Sequence, residues 1–364
     1  MTKLSKSFSK NKNFIFFGAV IVMLINLSVC CFAGWLLLRS WSGQPLSEPL
    51  SLSTLNPTTE AGLLEDGNQS SREEGDSSHT NDPATNWGDL STEGENELIF
   101  LAIAIDYRGD DYIYGLADSI RLVRVDFDEA QINVVSLPRN LLVNVPTDRI
   151  TAENPTLLNQ SYFFGSPGMG KYAGDGYGAG ALAETIQSNF GITVDHYVVI
   201  DFGGFIEMVD VLGGIEVDLP VALDDRPSVY FPAGKQILSG EEALQLARAR
   251  TNYTDLERVN HQNLVLQAVF RKLVDPAVIY RLPTLANTLQ DSVLTDVSPE
   301  QILTLTALLQ RLDEDQILYA NPPDDVIAND DQYIPSVRQE MQILRWDSTF
   351  IDWLNRSLWM EIEE

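Results

Sequence analysis

The sequence predicts an α/β fold, because runs typical of buried strands alternate along the chain with runs typical of helices. Residues 98–105 form a continuous apolar run, which is typical of a strand buried on both faces. Two further β-rich runs, at 120–127 and 132–137, are separated by a short polar stretch. This spacing predicts a β-hairpin. Helical patterns begin further along the chain.

The elements that follow continue the alternation. A Gly-rich stretch at 165–180 leads into a predicted helix that Gly191 ends. Ser239 and Glu242 have the spacing of a capping box, and so do Thr254 and Glu257, so each pair predicts the start of a helix. The predicted elements are the helix at 180–190, the strand at 194–200, the helix at 204–212, the strand at 215–219, helices ending near residues 247 and 273, the helix at 298–312, the strand at 317–320 and a last helix at 347–358.

The N-terminal residues predict a membrane anchor. Residues 14–38 carry no charged side chain, and a helix of that length can cross a hydrocarbon core of about 30 Å. Lysines precede this run and acidic residues follow it, so the positive-inside rule places residues 1–13 in the cytoplasm and everything after residue 40 outside. The protein is therefore expected in the cell membrane as a single-pass protein with an extracytoplasmic domain.

The segment at 42–96 predicts a disordered acidic linker, because it carries eleven acidic residues against one basic residue and has no sustained apolar period. Ordered structure is expected at 97–290, with 291–364 either completing that domain or appended to it. The whole chain has a formal net charge of -28, which repels nucleic-acid backbones and excludes DNA or RNA as a partner. Cys30 and Cys31 are adjacent inside the apolar run, so the outer part must fold without disulfides.

Three polar residues lie where the first strands begin or end. Asp106 follows the first strand, Asp118 precedes the second and Arg139 follows the third; a tight hairpin places Asp118 opposite Arg139. Ligands of α/β sheets bind at strand ends, and two carboxylates without histidine or cysteine suit Mg²⁺. The spacing alone is equally compatible with aspartates that only cap turns.

A second group of polar residues is concentrated in a chain that is otherwise strongly acidic. Arg248, Arg250, Arg258 and Gln262 lie within fifteen residues. Arg258 and Gln262 share a helix face near the start of a helix, where anions are favoured. Arg248 and Arg250 can face one ligand only if the preceding helix ends near Ala247. Arginine matches phosphate oxygens well, so the group indicates pyrophosphate binding, with surface salt bridges as the alternative.

The order of these elements resembles that in the LytR-CpsA-Psr family over residues 97–273. The motifs that carry the resemblance are Ala104-Ile105-Asp106-Tyr107-Arg108, Ala117-Asp118-Ser119, Ser136-Leu137-Pro138-Arg139-Asn140, residues 194–202, residues 211–217, residues 231–244, Arg248-x-Arg250 and Asp255-x-x-Arg258-x-x-x-Gln262.

The resemblance implies a fold, a site and a reaction. The expected fold is a central mixed β-sheet flanked by helices that encloses an apolar cavity for a polyprenyl chain. Asp106 and Asp118 would hold Mg²⁺, or Mn²⁺ as the alternative ion, and would act in catalysis with Arg139. Pyrophosphate would be bound by Arg139, Arg248, Arg250, Arg258 and Gln262. The implied activity is Mg-dependent transfer of a glycopolymer phosphate, of the teichoic acid or capsular kind, from a polyprenyl-pyrophosphate donor to a peptidoglycan sugar hydroxyl.

Some positions depart from the family pattern, and other activities stay open. Asn140 replaces an acidic residue, Leu157 falls about where a lysine is common and His261 replaces an arginine, which predicts weaker or altered head-group binding. His196 lies among apolar residues and is interpreted as a packed structural histidine rather than a general base. Hydrolysis of polyprenyl pyrophosphate and a non-catalytic lipid- or glycan-binding regulator are the alternatives to transfer.

Overall fold

The computed structural model describes residue 50 and residues 97–106, 115–225, 229–249, 255–275, 278, 285, 289, 292–309 and 311–360. The predicted membrane helix at 14–38, the predicted linker at 42–96 apart from Leu50, and Arg250 lie outside these residues. Within the described part of the chain, no helix has both the length and the apolarity needed to cross a membrane.

The described residues form an α/β structure. The strands are β1 (Glu97–Ile105), β2 (Ala117–Asp126), β3 (Gln131–Leu137), β4 (Leu142–Val143), β5 (Thr156–Leu157), β6 (His196–Asp201), β7 (Ile215–Leu219), β8 (Leu223–Asp225), β9 (Val229–Phe231), β10 (Gly234–Leu238), β11 (Val293–Thr295), β12 (Ile317–Ala320), β13 (Ile327–Ile334) and β14 (Gln339–Trp346). The α-helices are α1 (Leu158–Gly165), α2 (Tyr177–Phe190), α3 (Phe202–Leu212), α4 (Gly240–Arg248), α5 (Asp255–Leu273), α6 (Pro299–Leu309) and α7 (Ser348–Leu358).

A six-stranded mixed sheet lies at the centre, with the strand order β11-β6-β1-β2-β3-β12. The predicted hairpin is confirmed, because β2 pairs antiparallel with β3 and Ile120 lies opposite Leu137. β1 pairs antiparallel with β2 and parallel with β6. β11 and β12, both from the C-terminal part of the chain, form the two edges of this sheet.

Alternation of side chains along the central strands produces two different faces. On one face, Leu101 and Ile103 of β1 join Ile120 and Leu122 of β2 in the largest core, which α1, α2 and α7 cover. All four side chains are almost completely buried. The hydrophobic effect across this layer is the main source of stability for the sheet.

The other face of the sheet is packed at one end and open at the other. Phe100 and Val134 pack there with residues of α5 and α6. Further along the same face of β1, the side chains are the small Ala102 and Ala104, and both line a cavity. The change from a phenylalanine to two alanines leaves the volume that the cavity occupies.

The helices around the cavity begin and end where their capping residues dictate. The Asp201 side chain accepts a hydrogen bond of 2.7 Å from the Gly204 backbone N–H and caps α3. Burial raises the pKa of this carboxyl above its usual value. The predicted capping box of α4 is confirmed, since Ser239 N–H donates to the Glu242 carboxylate at 2.9 Å. α3, α4, α5 and β7 share a separate hydrophobic cluster.

The last helix, α7, packs against the face of the central sheet that is opposite the cavity. Phe350, Leu354 and Leu358 of α7 are fully buried against the largest core. Asn133 on β3 donates hydrogen bonds of 2.8 Å to the Leu358 and Met360 carbonyls. β13 and β14, which form a two-stranded antiparallel hairpin, precede α7.

Candidate functional site

One cavity of about 500 Å³ contains the candidate residues of the described chain. Polar and charged side chains line one part of it and apolar side chains line the rest. The polar lining residues are Asp106, Asp118, Ser119, Arg121, Arg139, Arg248, Arg258 and Gln262. The apolar lining residues include Ala102, Ala104, Val123, Val198, Ile200, Phe202, Phe205, Met208, Leu244, Val265, Leu266, Val269 and Phe270. Amphipathic cavities of this kind fit ligands with one charged and one apolar end.

Asp106 and Asp118 reach this cavity from neighbouring strands. Asp106 directly follows β1, and its backbone N–H donates to the Leu116 carbonyl at 3.3 Å. Asp118 is the second residue of β2, next to a register irregularity between Ala104 and Ile105. Because β1 and β2 are antiparallel, the end of one and the start of the other meet at the same edge of the sheet.

Arg139 forms an ion pair with Asp118, as the hairpin geometry predicts. A terminal guanidinium nitrogen of Arg139 donates to the Asp118 carboxylate, and both side chains are about four-fifths buried, at 21% and 17% exposed. The Arg139 backbone carbonyl accepts a hydrogen bond of 3.0 Å from Asn159 N–H, which fixes the loop after β3. The pair therefore places a cation and an anion together at the polar end of the cavity.

Arg248 is the last residue of α4, where a cation is favoured by the helix dipole. Its guanidinium carbon lies 5.0 Å from the centroid of the Phe202 ring, a cation–π distance that holds the side chain over α3. The next residue, Ala249, is extended, so α4 ends one residue after the predicted position. Arg250 lies outside the described residues.

Arg258 and Gln262 are one turn apart on α5 and face the same cavity. Arg258 is only 5% exposed, although it is charged. Further along the same helix, the cavity-lining residues are Val265 and Val269. The cavity-lining residues of α5 are therefore polar near the start of the helix and apolar further along it.

The cavity also contains Arg121, which the sequence interpretation did not select. Arg121 lies in the middle of β2 and is 3% exposed. One terminal nitrogen donates to the Gln262 and Asn263 side-chain oxygens at 3.1 and 3.2 Å, and the other donates to the Ile120 carbonyl at 3.2 Å. Burial, and then repulsion by Arg258, lower the pKa of Arg121 to about 10. The available signal was an arginine inside a run that otherwise predicts a buried strand.

Neutral side chains next to Arg121 form a hydrogen-bond network. Asn263 on α5 accepts from Arg121 and donates to the Asn321 side-chain oxygen at 2.8 Å. Ser136 on β3 donates to the same Asn321 oxygen at 2.6 Å. Asn321 follows β12, so the C-terminal part of the chain contributes to the surroundings of the site.

The cavity lining has more positive than negative side chains, which favours binding of an anion. The described lining residues bring together four guanidinium groups and two carboxylates, within a chain of net charge -28. Among the residues that the structure describes, no cluster of three or more His, Cys, Asp or Glu side chains could hold a metal ion by itself. Asp106 and Asp118 supply carboxylate oxygens, the ligand type that Mg²⁺ takes together with waters and phosphate oxygens.

The other residues singled out in the sequence do not line this cavity. The His196 Nδ1 lies 3.3 Å from the Asp296 carboxylate, at the start of β6. His261 Nδ1 lies 3.2 Å from the Ala249 carbonyl, one residue beyond Arg248. Leu157 is buried against Ile334 and Ile343. Asn140, at 7% exposed, is buried beside Arg139.

Comparisons with known proteins agree with this architecture. The chain is 29% identical over 199 residues to the "Polyisoprenyl-teichoic acid--peptidoglycan teichoic acid transferase TagV" of Bacillus subtilis (strain 168), covering 52% of this chain and 47% of TagV. It is 29% identical over 237 residues to the "Cell wall biosynthesis protein LcpA" of Corynebacterium glutamicum, covering 60% of this chain and 45% of LcpA. The chain spans about half the length of the curated relatives it matches.

Solved structures share the fold. The crystal structure of B. subtilis TagV superposes with a TM-score of 0.58 at 24% identity, covering 73% of this chain and 96% of TagV. The structure of TagT bound to LIIa-WTA superposes with a TM-score of 0.54 at 19% identity, covering 72% of this chain and 90% of TagT. The central mixed sheet flanked by helices is common to them. The LytR_cpsA_psr family model matches residues 63–344, and the chain belongs to the LytR_cpsA_psr family.

Proposed function

We propose that this protein transfers a glycopolymer phosphate from a polyprenyl-pyrophosphate donor to a sugar hydroxyl of peptidoglycan. The observation that carries the proposal is one cavity in which an arginine-rich end adjoins an apolar end. A lipid-linked pyrophosphate has the same two parts, a charged head and a long apolar tail. The relative TagV, a polyisoprenyl-teichoic acid–peptidoglycan teichoic acid transferase by name, supports the same reaction class.

The apolar end of the cavity would hold the polyprenyl chain. It lies between β1, β6, α3 and α5, and its lining residues include Ile200, Phe205, Val265 and Phe270. Burial of an isoprenoid chain there removes apolar surface from water, which stabilises binding by roughly 25 cal/mol per Å². Ala102 and Ala104 supply the space on the sheet side.

The polar end would bind the pyrophosphate. Arg139, Arg248 and Arg258 present guanidinium groups that match phosphate oxygens, and Gln262 adds a neutral donor. Arg250 would join them from the segment after α4. Asp106 and Asp118 would hold Mg²⁺, with Mn²⁺ as the alternative ion, and the bound ion would offset charge on the phosphate oxygens.

The reaction is a displacement at the phosphorus that carries the glycopolymer. An oxygen–phosphorus bond forms from the acceptor hydroxyl, and the bond from the same phosphorus to the bridging oxygen breaks. The bridging oxygen keeps the electron pair and leaves as part of polyprenyl phosphate. The arginines stabilise the negative charge that develops on the phosphoryl and leaving oxygens. Asp118, held by Arg139, is the candidate acceptor for the hydroxyl proton.

A membrane location suits this substrate. The donor is embedded in the membrane by its lipid, and the predicted anchor at 14–38 with the predicted linker at 42–96 would keep the domain close to it. We propose that the domain lies on the outer side of the cell membrane, where peptidoglycan is the acceptor. Repulsion among the acidic residues of the predicted linker would extend it and increase the distance over which the domain can reach the donor.

The test is transfer by membrane vesicles that contain the full chain. A polyprenyl-pyrophosphate donor with a labelled glycopolymer is incubated with peptidoglycan, and both wall-bound label and polyprenyl phosphate are measured. Mg²⁺ should be required, and Arg139→Ala or Asp118→Asn should each lower the rate by about 10²-fold, since each removes an interaction with the reacting phosphate. Lys235→Ala is the control, because Lys235 is exposed and its ion pair is with the exposed Glu216.

Two other outcomes would contradict transfer. Release of label into water, with none on the wall, would indicate a hydrolase that uses the same residues. Binding of the donor without turnover would indicate a lipid- or glycan-binding regulator. A relative of Staphylococcus aureus that is 27% identical over 183 residues is named "Regulatory protein MsrR".

A further inference from the structure

We infer that Arg121 binds the lipid-side phosphate of the substrate, the one that is esterified to the polyprenyl chain and leaves with it. The inference rests on the proposed function and adds to it a residue and the phosphate that this residue contacts. It stands on the burial of Arg121, on its neutral surroundings and on its position along the cavity.

The surroundings of Arg121 leave its charge without a counter-charge. Its three hydrogen-bond acceptors are a backbone carbonyl and two side-chain amides, all of them neutral. Within the described residues, no carboxylate forms an ion pair with it, and its charged neighbour is the cation Arg258. A buried guanidinium beside a second guanidinium is unfavourable by itself, and a bound anion offsets that penalty.

Arg121 also has hydrogen-bonding capacity left for a ligand. A guanidinium has five N–H donors. Three acceptors bind its terminal nitrogens, and the buried Nε has no partner among the described residues. The side chain lines the cavity, so a phosphate oxygen there can accept from it.

The position of Arg121 decides which phosphate it contacts. Along β2, the side chains lining the cavity run from Asp118 and Ser119 through Arg121 to Val123. Ser119 lies opposite Ala104 and Arg121 lies opposite Ala102 in the β1–β2 register. Arg121 is therefore the last charged group on β2 before the apolar lining.

The same boundary appears on α5, the helix across the cavity. There the lining changes from Arg258 and Gln262 to Val265, Leu266 and Val269. Gln262 is the residue that accepts from Arg121 at 3.1 Å, so the two elements meet at this boundary. A lipid whose tail fills the apolar end places its own phosphate at this point, and the distal phosphate lies towards Asp118 and Arg139.

This placement gives Arg121 a role in the displacement. When the bond between the glycopolymer phosphorus and the bridging oxygen breaks, the electron pair goes to that oxygen, which belongs to the lipid-side phosphate. A guanidinium that binds this phosphate stabilises the leaving group as its charge increases. It also binds the product, polyprenyl phosphate, after transfer.

Binding to the full chain in detergent micelles tests the inference. Calorimetric titrations use polyprenyl phosphate, inorganic pyrophosphate and inorganic phosphate, so that a lipid head group is distinguished from a free phosphate. Arg121→Met removes the charge at similar side-chain volume. It should weaken polyprenyl phosphate binding by about 10- to 100-fold, because hydrogen bonds to a charged group contribute free energy of that order. Arg121→Lys keeps the charge without the planar fork and should recover part of the loss.

Control variants separate the possible failures. Arg345→Met removes an exposed guanidinium paired with Asp330 and should leave all three affinities unchanged. If Arg121→Met and Arg121→Lys both bind polyprenyl phosphate as the unmodified chain does, the inference is wrong, and the proposed function is unaffected. A loss confined to inorganic phosphate would assign Arg121 to a free anion and also overturn it. If the unmodified chain binds neither polyprenyl phosphate nor pyrophosphate, the proposed function itself fails.

Discussion

Arg121 and Arg149 both contact buried residues, but the partners of the two arginines differ in charge. Arg149 forms an ion pair of 3.0 Å with Glu184, whose side chain is fully buried, and the Tyr172 hydroxyl donates to the same carboxylate at 3.0 Å. The hydrogen bond to Glu184 raises the pKa of Arg149. Among the residues that the structure describes, the acceptors of Arg121 are all neutral. Arg149 therefore stabilises the fold, whereas the charge of Arg121 destabilises the fold unless an anion binds it.

This contrast predicts different effects on stability. Arg149→Met leaves the Glu184 carboxylate buried without its cation and should lower the free energy of unfolding by about 3 kcal/mol or more. Arg121→Met removes a charge whose pKa burial lowers to about 10, a penalty of about 3 kcal/mol, and loses three hydrogen bonds of about 1 kcal/mol each. The two terms nearly cancel, so the second variant should be about as stable as the unmodified chain.

Thermal unfolding of the ligand-free full chain, followed by tryptophan fluorescence at pH 7, checks this prediction. The folded pKa of Arg121 lies below its unfolded value, so the penalty is complete below pH 10 and is relieved only as the pH rises through that value. Arg345→Met should change the melting temperature little, because its ion pair is exposed. An equal fall of melting temperature in Arg121→Met and Arg149→Met would refute the contrast.

At the scale of elements, β1 has two different functions on its two faces. Leu101 and Ile103 fill the core on one face, and Ala102 and Ala104 line the cavity on the other. A strand with large residues on both faces would close the cavity against α5. The small residues therefore leave the space for the apolar part of the cavity.

Ala102→Leu should fill part of the apolar end and weaken polyprenyl phosphate binding by at least about tenfold, because overpacking forces displacements that cost about 1–3 kcal/mol. Inorganic pyrophosphate needs no apolar space and should bind nearly unchanged. The same titrations measure both affinities. Ala328→Leu, on an exposed position of β13, is the matched control. Equal losses for the two ligands would show that the tail does not occupy this volume.

The sequence predicted the elements that have a clear apolar period. β3, β7 and β12 begin and end within one residue of their predicted limits, because their buried side chains impose the pattern. The hairpin of β13 and β14 was missed, since most of its side chains are exposed and polar and so carry no such period. Residues 158–165 were assigned no helix, although they form α1.

The candidate site was predictable to the extent that its residues lie at strand ends or in a local cluster. Asp106, Asp118 and Arg139 were found from strand ends, and Arg248 and Arg258 from their concentration in an acidic chain. Arg121 was not found, because a strand pattern does not tell which face will meet a cavity. Asn321 is 58 residues from its partner Asn263, and no local pattern could connect them.

At the scale of the whole molecule, the charge of the site opposes the charge of the chain. The cavity lining has more guanidinium groups than carboxylates, whereas the net charge is -28. An approaching phosphate is therefore repelled at long range and attracted only when it is close. Salt screens exposed and distant charges more strongly than buried ones.

The association rate of inorganic pyrophosphate should consequently increase with salt, by about threefold as the Debye length falls from roughly 30 Å to 8 Å. The dissociation rate should change less, because the contacting arginines are largely buried. Stopped-flow measurements on the full chain in uncharged detergent, with potassium chloride from about 10 to 150 mM, give both rates. An association rate that falls with salt would mean that the local positive charge dominates the approach.

Two side-chain amides on β3 form hydrogen bonds just beyond the end of α7 and so fix the position of Met360. Gln131 and Asn133 hold the Met360 carbonyl, at 2.5 and 2.8 Å, and α7 packs on the sheet face opposite the cavity. A dye or an affinity handle attached at Met360, which is exposed, would lie on this side. Such a molecule could be attached to a surface with its cavity still open to lipid, so that binding and release could be followed one protein at a time.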